Sequence, residues 1–146
     1  MNDKIVKFIH KQTCASVCCV ETVANPYSFS CFYAFNAEAG LLYFKSSMDT
    51  RHGPVMVSNP HIAGTILPDK LNIMLVKGIQ FEGIVLPDDH PSCNHAASHY
   101  YKKFPMALAM HGEIWTIQLN YIKMTDSTLG FGKKIEWTRA AIGAAS

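Results

Sequence analysis

Leu42-Tyr43-Phe44-Lys45-Ser46-Ser47-Met48-Asp49-Thr50-Arg51-His52 is the stretch from which the rest of the chain is best read. Its apolar first half continues a run from Leu41 to Ser47 that reads as a strand. Its polar second half leads into a segment with helical potential from about Arg51 to Ser58, where Pro54 is tolerated only because it lies near the first turn. A strand end followed by a helix start thus presents an ammonium, several hydroxyls, a guanidinium and an imidazole within a few residues. Phosphate is bound by that mixture: charge-assisted donors, hydroxyls and the free backbone N–H groups of a helix start. In that reading Arg51 is the bidentate donor, and Ser46, Ser47 and Thr50 complete the shell. The alternative is structural, with Asp49 or Thr50 capping the helix and the charges incidental. Composition leaves both open.

Working outward from this segment, Ile5, Phe8 and Ile9 recur at helical spacing behind Asn2-Asp3, which predicts a helix over residues 3–11. Strands are predicted at 13–21 and 27–35, divided by the turn signal Ala24-Asn25-Pro26. Residues 36–40 close a hairpin onto the 41–47 strand. Downstream, residues 61–67 and 72–86 read as strands, the latter the longest, with Gly78 and Gly83 expected at bulges or bends. After the breaker Pro87-Asp88-Asp89-His90-Pro91 a helix is predicted over 92–104, then a short helix through Met110. An alternating strand at 113–124 and a Gly-containing loop at 125–134 lead to Ile135-Glu136-Trp137. Six strands joined mainly by short turns, with helices inserted instead of alternating, argue against a βαβ design. The expected fold is mainly β: an antiparallel barrel with peripheral helices, closed so that no sheet edge is left bare.

The chain has 146 residues, 49% hydrophobic and only 16% charged, ample for one core and high enough in apolar content to favour a subunit interface. The formal charge is +2 and the lysines are scattered, with nothing denser than Lys102-Lys103 and Lys133-Lys134, so nucleic acid is not an expected partner. Lys7 and His10 interrupt what would have to be the apolar part of a signal peptide, and no apolar run approaches the ~20 residues of a membrane helix. With five cysteines, an odd number, a cytoplasmic chain with free thiols is expected.

Several constellations have a bland reading that outweighs the chemical one. His95 and His99 share a helical face near His90 and Cys93, but two ligands on one face do not close a zinc site, so no metal is expected. Strand alternation puts Cys14 and Cys18 on one face and Cys19 on the other, and divides any cluster. Cys31 and Cys93 have no neighbouring base in sequence. Tyr100 to Phe104 is expected to pack a helix on the barrel, and Trp115 to lie in the core or an interface. No catalytic residue is identified.

The strand ending Tyr43-Phe44-Lys45-Ser46-Ser47, then Thr50-Arg51-His52, Ser58-Asn59-Pro60-His61 and Ile62-Ala63-Gly64-Thr65-Ile66, resembles the pyridoxamine 5′-phosphate oxidase-like family of flavin-binding split barrels. Val76-Lys77-Gly78-Ile79-Gln80-Phe81-Glu82-Gly83 fits the strand that follows. The stretch from Thr125 to Trp137 is similar to the C-terminal signature of a small bacterial branch, the YhbP-like proteins. The resemblance covers the first helix to about Arg139. It implies a single split-barrel domain over 1–139 with six antiparallel strands and a homodimer with FMN at the subunit interface; the small, bland residues 140–146 read by themselves as a frayed tail. By position, Lys45, Ser46, Ser47, Thr50, Arg51 and His52 match the family's flavin and phosphate contacts. Lys133 and Trp137 fall where relatives reach the cofactor of the other subunit. The basic set with which the true oxidase grips pyridoxamine phosphate is missing. The expected function is that of an FMN-dependent oxidoreductase acting on a small molecule, or else a non-catalytic flavin- or haem-binding protein on the same fold.

Overall fold

The computed structural model describes residues 1–130 and 132–141, so the predicted frayed tail lies outside the described residues from position 142 onward. In chain order the elements are α1 (Asp3–Lys11), β1 (Cys14–Val20), β2 (Pro26–Asn36), β3 (Leu41–Ser46), α2 (His52–Ser58), β4 (His61–Ile66), β5 (Lys77–Val85), α3 (Ala96–Lys103), β6 (Glu113–Asp126) and β7 (Lys134–Thr138). Short 3-10 turns cover Pro91–Cys93, Pro105–Ala109 and Ser127–Leu129. Asn2 starts α1 by accepting the Lys4 N–H on its side-chain oxygen at 2.8 Å. A helix this short is not stable alone. It is held by burying Ile5, Phe8 and Ile9, and it turns Lys4, Lys7 and Lys11 outward.

Every strand pair is antiparallel, in the order β3-β2-β1-β4-β5-β6-β7, and β3 also pairs with β6. That last pairing closes a six-stranded barrel, with β7 as an added strand. β6 is long enough to serve two neighbours along one edge. Residues Glu113 to Gln118 pair with β3, and Tyr121 to Thr125 pair with β7. Between them the barrel splits. Arg139 stitches the seam, donating from Nε to the Leu119 carbonyl at 2.7 Å and from Nη2 to the carbonyls of Ala39 and Gly40, both at 2.8 Å.

The barrel interior holds Val17, Phe44, Phe81, Ile117, Leu119 and Ile122, all 2% exposed or less. Burial of such side chains contributes roughly 1.5–3 kcal/mol each. A second cluster lies outside the barrel wall, where Tyr100 and Ala96 of α3 cover Ala34, Leu41 and Tyr43. The Tyr100 segment thus packs α3 on the barrel, while its Lys103 and Phe104 also line a cleft.

Four expectations need correction. Residues 72–76 are not strand: the Asn72 side-chain oxygen accepts the Met74 N–H at 3.0 Å and the Asn72 carbonyl accepts the Leu75 N–H, so the chain turns there. The longest strand is consequently β6. Gly83 does sit at a register shift, where a Cβ would strike the Gln118 carbonyl, but Gly78 pairs regularly with Thr125. The 92–104 helix is broken, with a 3-10 turn up to Cys93 and α3 beginning only at Ala96.

Candidate functional site

β3 is shorter than β2, and the mismatch makes a site. β3 pairs with β2 only between Tyr33 and Asn36, so the first half of β2 has β1 on one side and no strand on the other. The chain leaves β3 at Ser46 and turns away through 47–51 into α2. A cleft of about 640 Å³ opens between that bare edge, the start of α2 and the segment from Tyr100 to His111. Its walls carry Phe29, Cys31, Phe32, Phe104, Met106 and Met110, together with Lys45, Lys103, His52 and His111. Among the described residues no carboxylate lines it, and Asp49 lies beside it, 4.0 Å from His111.

Three of the predicted residues meet in this cleft. Ser46 Oγ and His52 Nε2 are 2.6 Å apart, and the imidazole lies flat on Phe29, with ring centroids 3.7 Å apart and planes 9° from parallel. Burial pushes the His52 pKa down, so the ring is neutral at neutral pH. The end of β3 is fixed by Trp115, whose indole N–H donates to the Ser46 carbonyl at 3.0 Å. Lys45 lines the cleft with a fully engaged ammonium. Its Nζ donates to Tyr101 Oη at 2.9 Å and to the carbonyls of Ala107 and Met110 at 2.6 Å each. Three donors meet three acceptors, so Lys45 ties down the far wall and supplies charge instead of a free hydrogen bond.

The turn between Ser46 and His52 shows the capping part of the motif. Thr50 caps: its Oγ1 donates to the Ser47 carbonyl at 2.7 Å and accepts the Gly53 N–H at 3.2 Å. Ser47 Oγ accepts the Asp49 N–H at 3.1 Å. Arg51 stays on the surface, where it donates from Nε to Glu21 at 2.7 Å and lies over the Tyr27 ring at 4.4 Å. Lys133 and Trp137 are not brought to this cleft within the chain. Trp137 pairs opposite Ile122, whereas Lys45 pairs opposite Ile114, a separation of roughly 26 Å along β6 at the ~3.3 Å rise of a strand residue.

Sequence reasoning did not place Cys14, Cys31, Phe32, Lys103, Met106 or His111 at the site. Alternation along β2 does put Phe29 and Cys31 on one face, but nothing local reveals that β3 stops short of them. Lys103 is held by the carbonyls of Gln12 at 3.2 Å and Tyr33 at 2.9 Å, and burial lowers its pKa. Burial, then the neighbouring Cys14, pushes the Cys31 thiol up to about 12. His90 Nδ1 accepts the Ser92 N–H, and His99 packs on Tyr43. Among the described residues no group of three metal-ligating side chains comes together.

No family model matches the chain. It is, however, 43% identical over 121 residues to a UPF0306 protein of Photorhabdus laumondii, covering 83% of this chain and 85% of that one. A second, from Serratia proteamaculans, is 36% identical over 138 residues, 93% of this chain and 94% of its own. The chain belongs to the UPF0306 family. This UPF0306 fold is also similar to a haem-binding protein from Mycobacterium smegmatis, at a TM-score of 0.74 and 12% identity, over 90% of this chain and 55% of the other. An FAD-binding protein from Mesorhizobium loti gives 0.66 at 15% identity, over 86% and 94%. Such identities establish a shared architecture alone: UPF0306 is a split barrel of the kind seen in flavin- and haem-binding proteins. No helix among the described residues is long and apolar enough to cross a membrane.

Proposed function

We propose that this UPF0306 protein binds FMN in the cleft beside the bare edge of β2, works as a homodimer, and uses the flavin for oxidoreduction of a small molecule. The observation that carries the reading is the cleft's chemistry, an apolar wall with cations at its margin and, among the described residues, no carboxylate in its lining. A flat aromatic ring with an anionic tail suits such a surface, since the ring removes apolar area from water while the tail meets positive charge. Ser46, Ser47 and Arg51 surround the turn that enters the cleft and are the donors for the phosphate, with Arg51 as the bidentate group through its Nη atoms, while Thr50 holds the turn in shape. Lys45 and His52 belong to the wall, where Lys45 supplies charge near the ring and the His52–Ser46 pair holds a proton. When bound, the flavin supplies the electron transfer, and these residues supply binding and orientation.

The dimer is part of the same proposal. Lys133 and Trp137 reach a cofactor in this cleft only from a second copy. Exposed apolar side chains support one: Ile73 is 94% exposed and Met106 87%. The test is the absorption spectrum of fresh protein followed by FMN titration, with sedimentation reporting assembly. Saturable FMN binding that is lost in Arg51→Ala, on a dimer, is the expected result. A monomer indifferent to FMN removes the reading.

A non-catalytic haem- or flavin-binding role is the second reading. It is favoured by the exposed His111 imidazole and the Met106 and Met110 thioethers on the cleft, which are groups able to ligate haem iron. A Soret band in place of flavin bands would select it. Turnover of bound flavin with NADH or NADPH would select the enzyme.

A further inference from the structure

Lysines that are scattered in sequence converge in the fold. Lys4, Lys7 and Lys11 recur at intervals of three and four residues and so share one face of α1. The turn after β4 brings Lys70, and the start of β5 brings Lys77, to a cleft of about 710 Å³ lined by all five. Two aspartates also line it, and both are occupied within the protein. Asp69 accepts the Thr13 N–H at 2.9 Å and the Thr13 hydroxyl at 2.6 Å. Asp126 accepts the Thr128 N–H and hydroxyl at 3.0 and 2.6 Å and pairs with Lys77 at 3.1 Å.

Five lysines against two aspartates leave this cleft at +3, more than the +2 of the whole chain. Lys4, Lys7, Lys11 and Lys70 have no carboxylate within ion-pair distance among the described residues. Like charges focused into a concave surface raise the local concentration of anions. Pro68 and Leu129, both half-buried, give the same cleft apolar surface above the buried Phe8 and Met124. Its volume is that of a small-molecule site.

We propose that this cleft is a second binding site, distinct from the one beside β2, for a small organic polyanion of the nucleoside polyphosphate class. The lysines take the phosphates as mobile point charges, and the apolar surface takes the base. The proposal does not rest on flavin binding.

The test is calorimetric titration of the full chain with ATP, and with AMP for comparison. The expected result is one saturable ATP site per chain, weaker for AMP, and weakened further at about 0.15 M salt, where charges are screened beyond ~8 Å. The double variant Lys7→Glu, Lys11→Glu, both exposed positions, weakens ATP roughly tenfold or more, with Lys70→Glu as an independent second variant. Arg51→Ala leaves ATP binding unchanged, which separates this site from the flavin proposal. Absence of saturable binding, equal affinity in the Lys variants, or tighter binding to single-stranded RNA or to phosphatidylserine vesicles than to ATP overturns it.

Discussion

Arg51 and Glu21, 30 residues apart in the chain, meet at 2.7 Å through Nε and Oε1. Both are accessible to solvent, and a pair of this kind adds little to stability. Its consequence is orientation. The guanidinium is held at its Nε edge and laid over Tyr27, and neither Nη group has a partner among the described residues. Removing Arg51 in Arg51→Ala is expected to weaken FMN roughly tenfold or more, the loss of a charge-assisted pair. Glu21→Gln keeps an acceptor for Nε and removes a negative charge near the proposed phosphate position, so it is expected to tighten FMN. Quenching of flavin fluorescence measures both, and an Arg51→Ala protein with unchanged affinity would sink the assignment.

Lys45 makes a prediction about stability instead of affinity. Lys45→Met keeps the stem but strands the carbonyls of Ala107 and Met110, which now accept from the ammonium. The expected loss is about 2 kcal/mol, from hydrogen bonds made by a charged group. Urea unfolding reads it as a lower midpoint at unchanged slope. A midpoint equal to wild type would show that the 105–110 segment is held by something else.

Thiol reactivity separates the cysteines. Cys14 is exposed, while Cys19 is buried and the Cys31 thiol is pushed up to about 12. Alkylation at neutral pH should mark Cys14 first and leave Cys31 and Cys19 unmodified until the protein unfolds. Cys14 and Cys31 both line the proposed flavin cleft. FMN is therefore expected to protect Cys14, and mass spectrometry of labelled peptides with and without FMN decides it.

The buried His52 implies a pH dependence with a definite sign. Burial lowers its pKa below the usual 6.5, so the unfolded chain takes up a proton before the folded one as pH falls. The stability held at higher pH is lost as pH drops below that unfolded value toward the folded one. Denaturation between about pH 7.5 and pH 5.5 should show the decline, and His52→Gln, which has no proton to take up there, should flatten it. An identical slope in the variant would assign the decline to other groups.

Local pattern was enough for much of this molecule. The spacing of Ile5, Phe8 and Ile9 placed α1, and the alternation of Cys14 to Val20 put Cys19 inside with Ala15 and Val17. At 72–76 the apolar side chains point to a strand, but the Asn72 side chain makes a turn. Five of those residues in a row carried no polar warning except that one.

What residue order determined by itself is therefore whatever depends on neighbours a few positions apart: the apolar face of α1 and most of the strands. Only the tertiary structure decided the rest. The β3–β6 pairing closes the barrel, the shortness of β3 against β2 opens the cleft, and Lys70 and Lys77 come to face α1. These features join segments far apart in sequence. Their geometry is set by how the whole sheet closes, a quantity that no short window of residues contains.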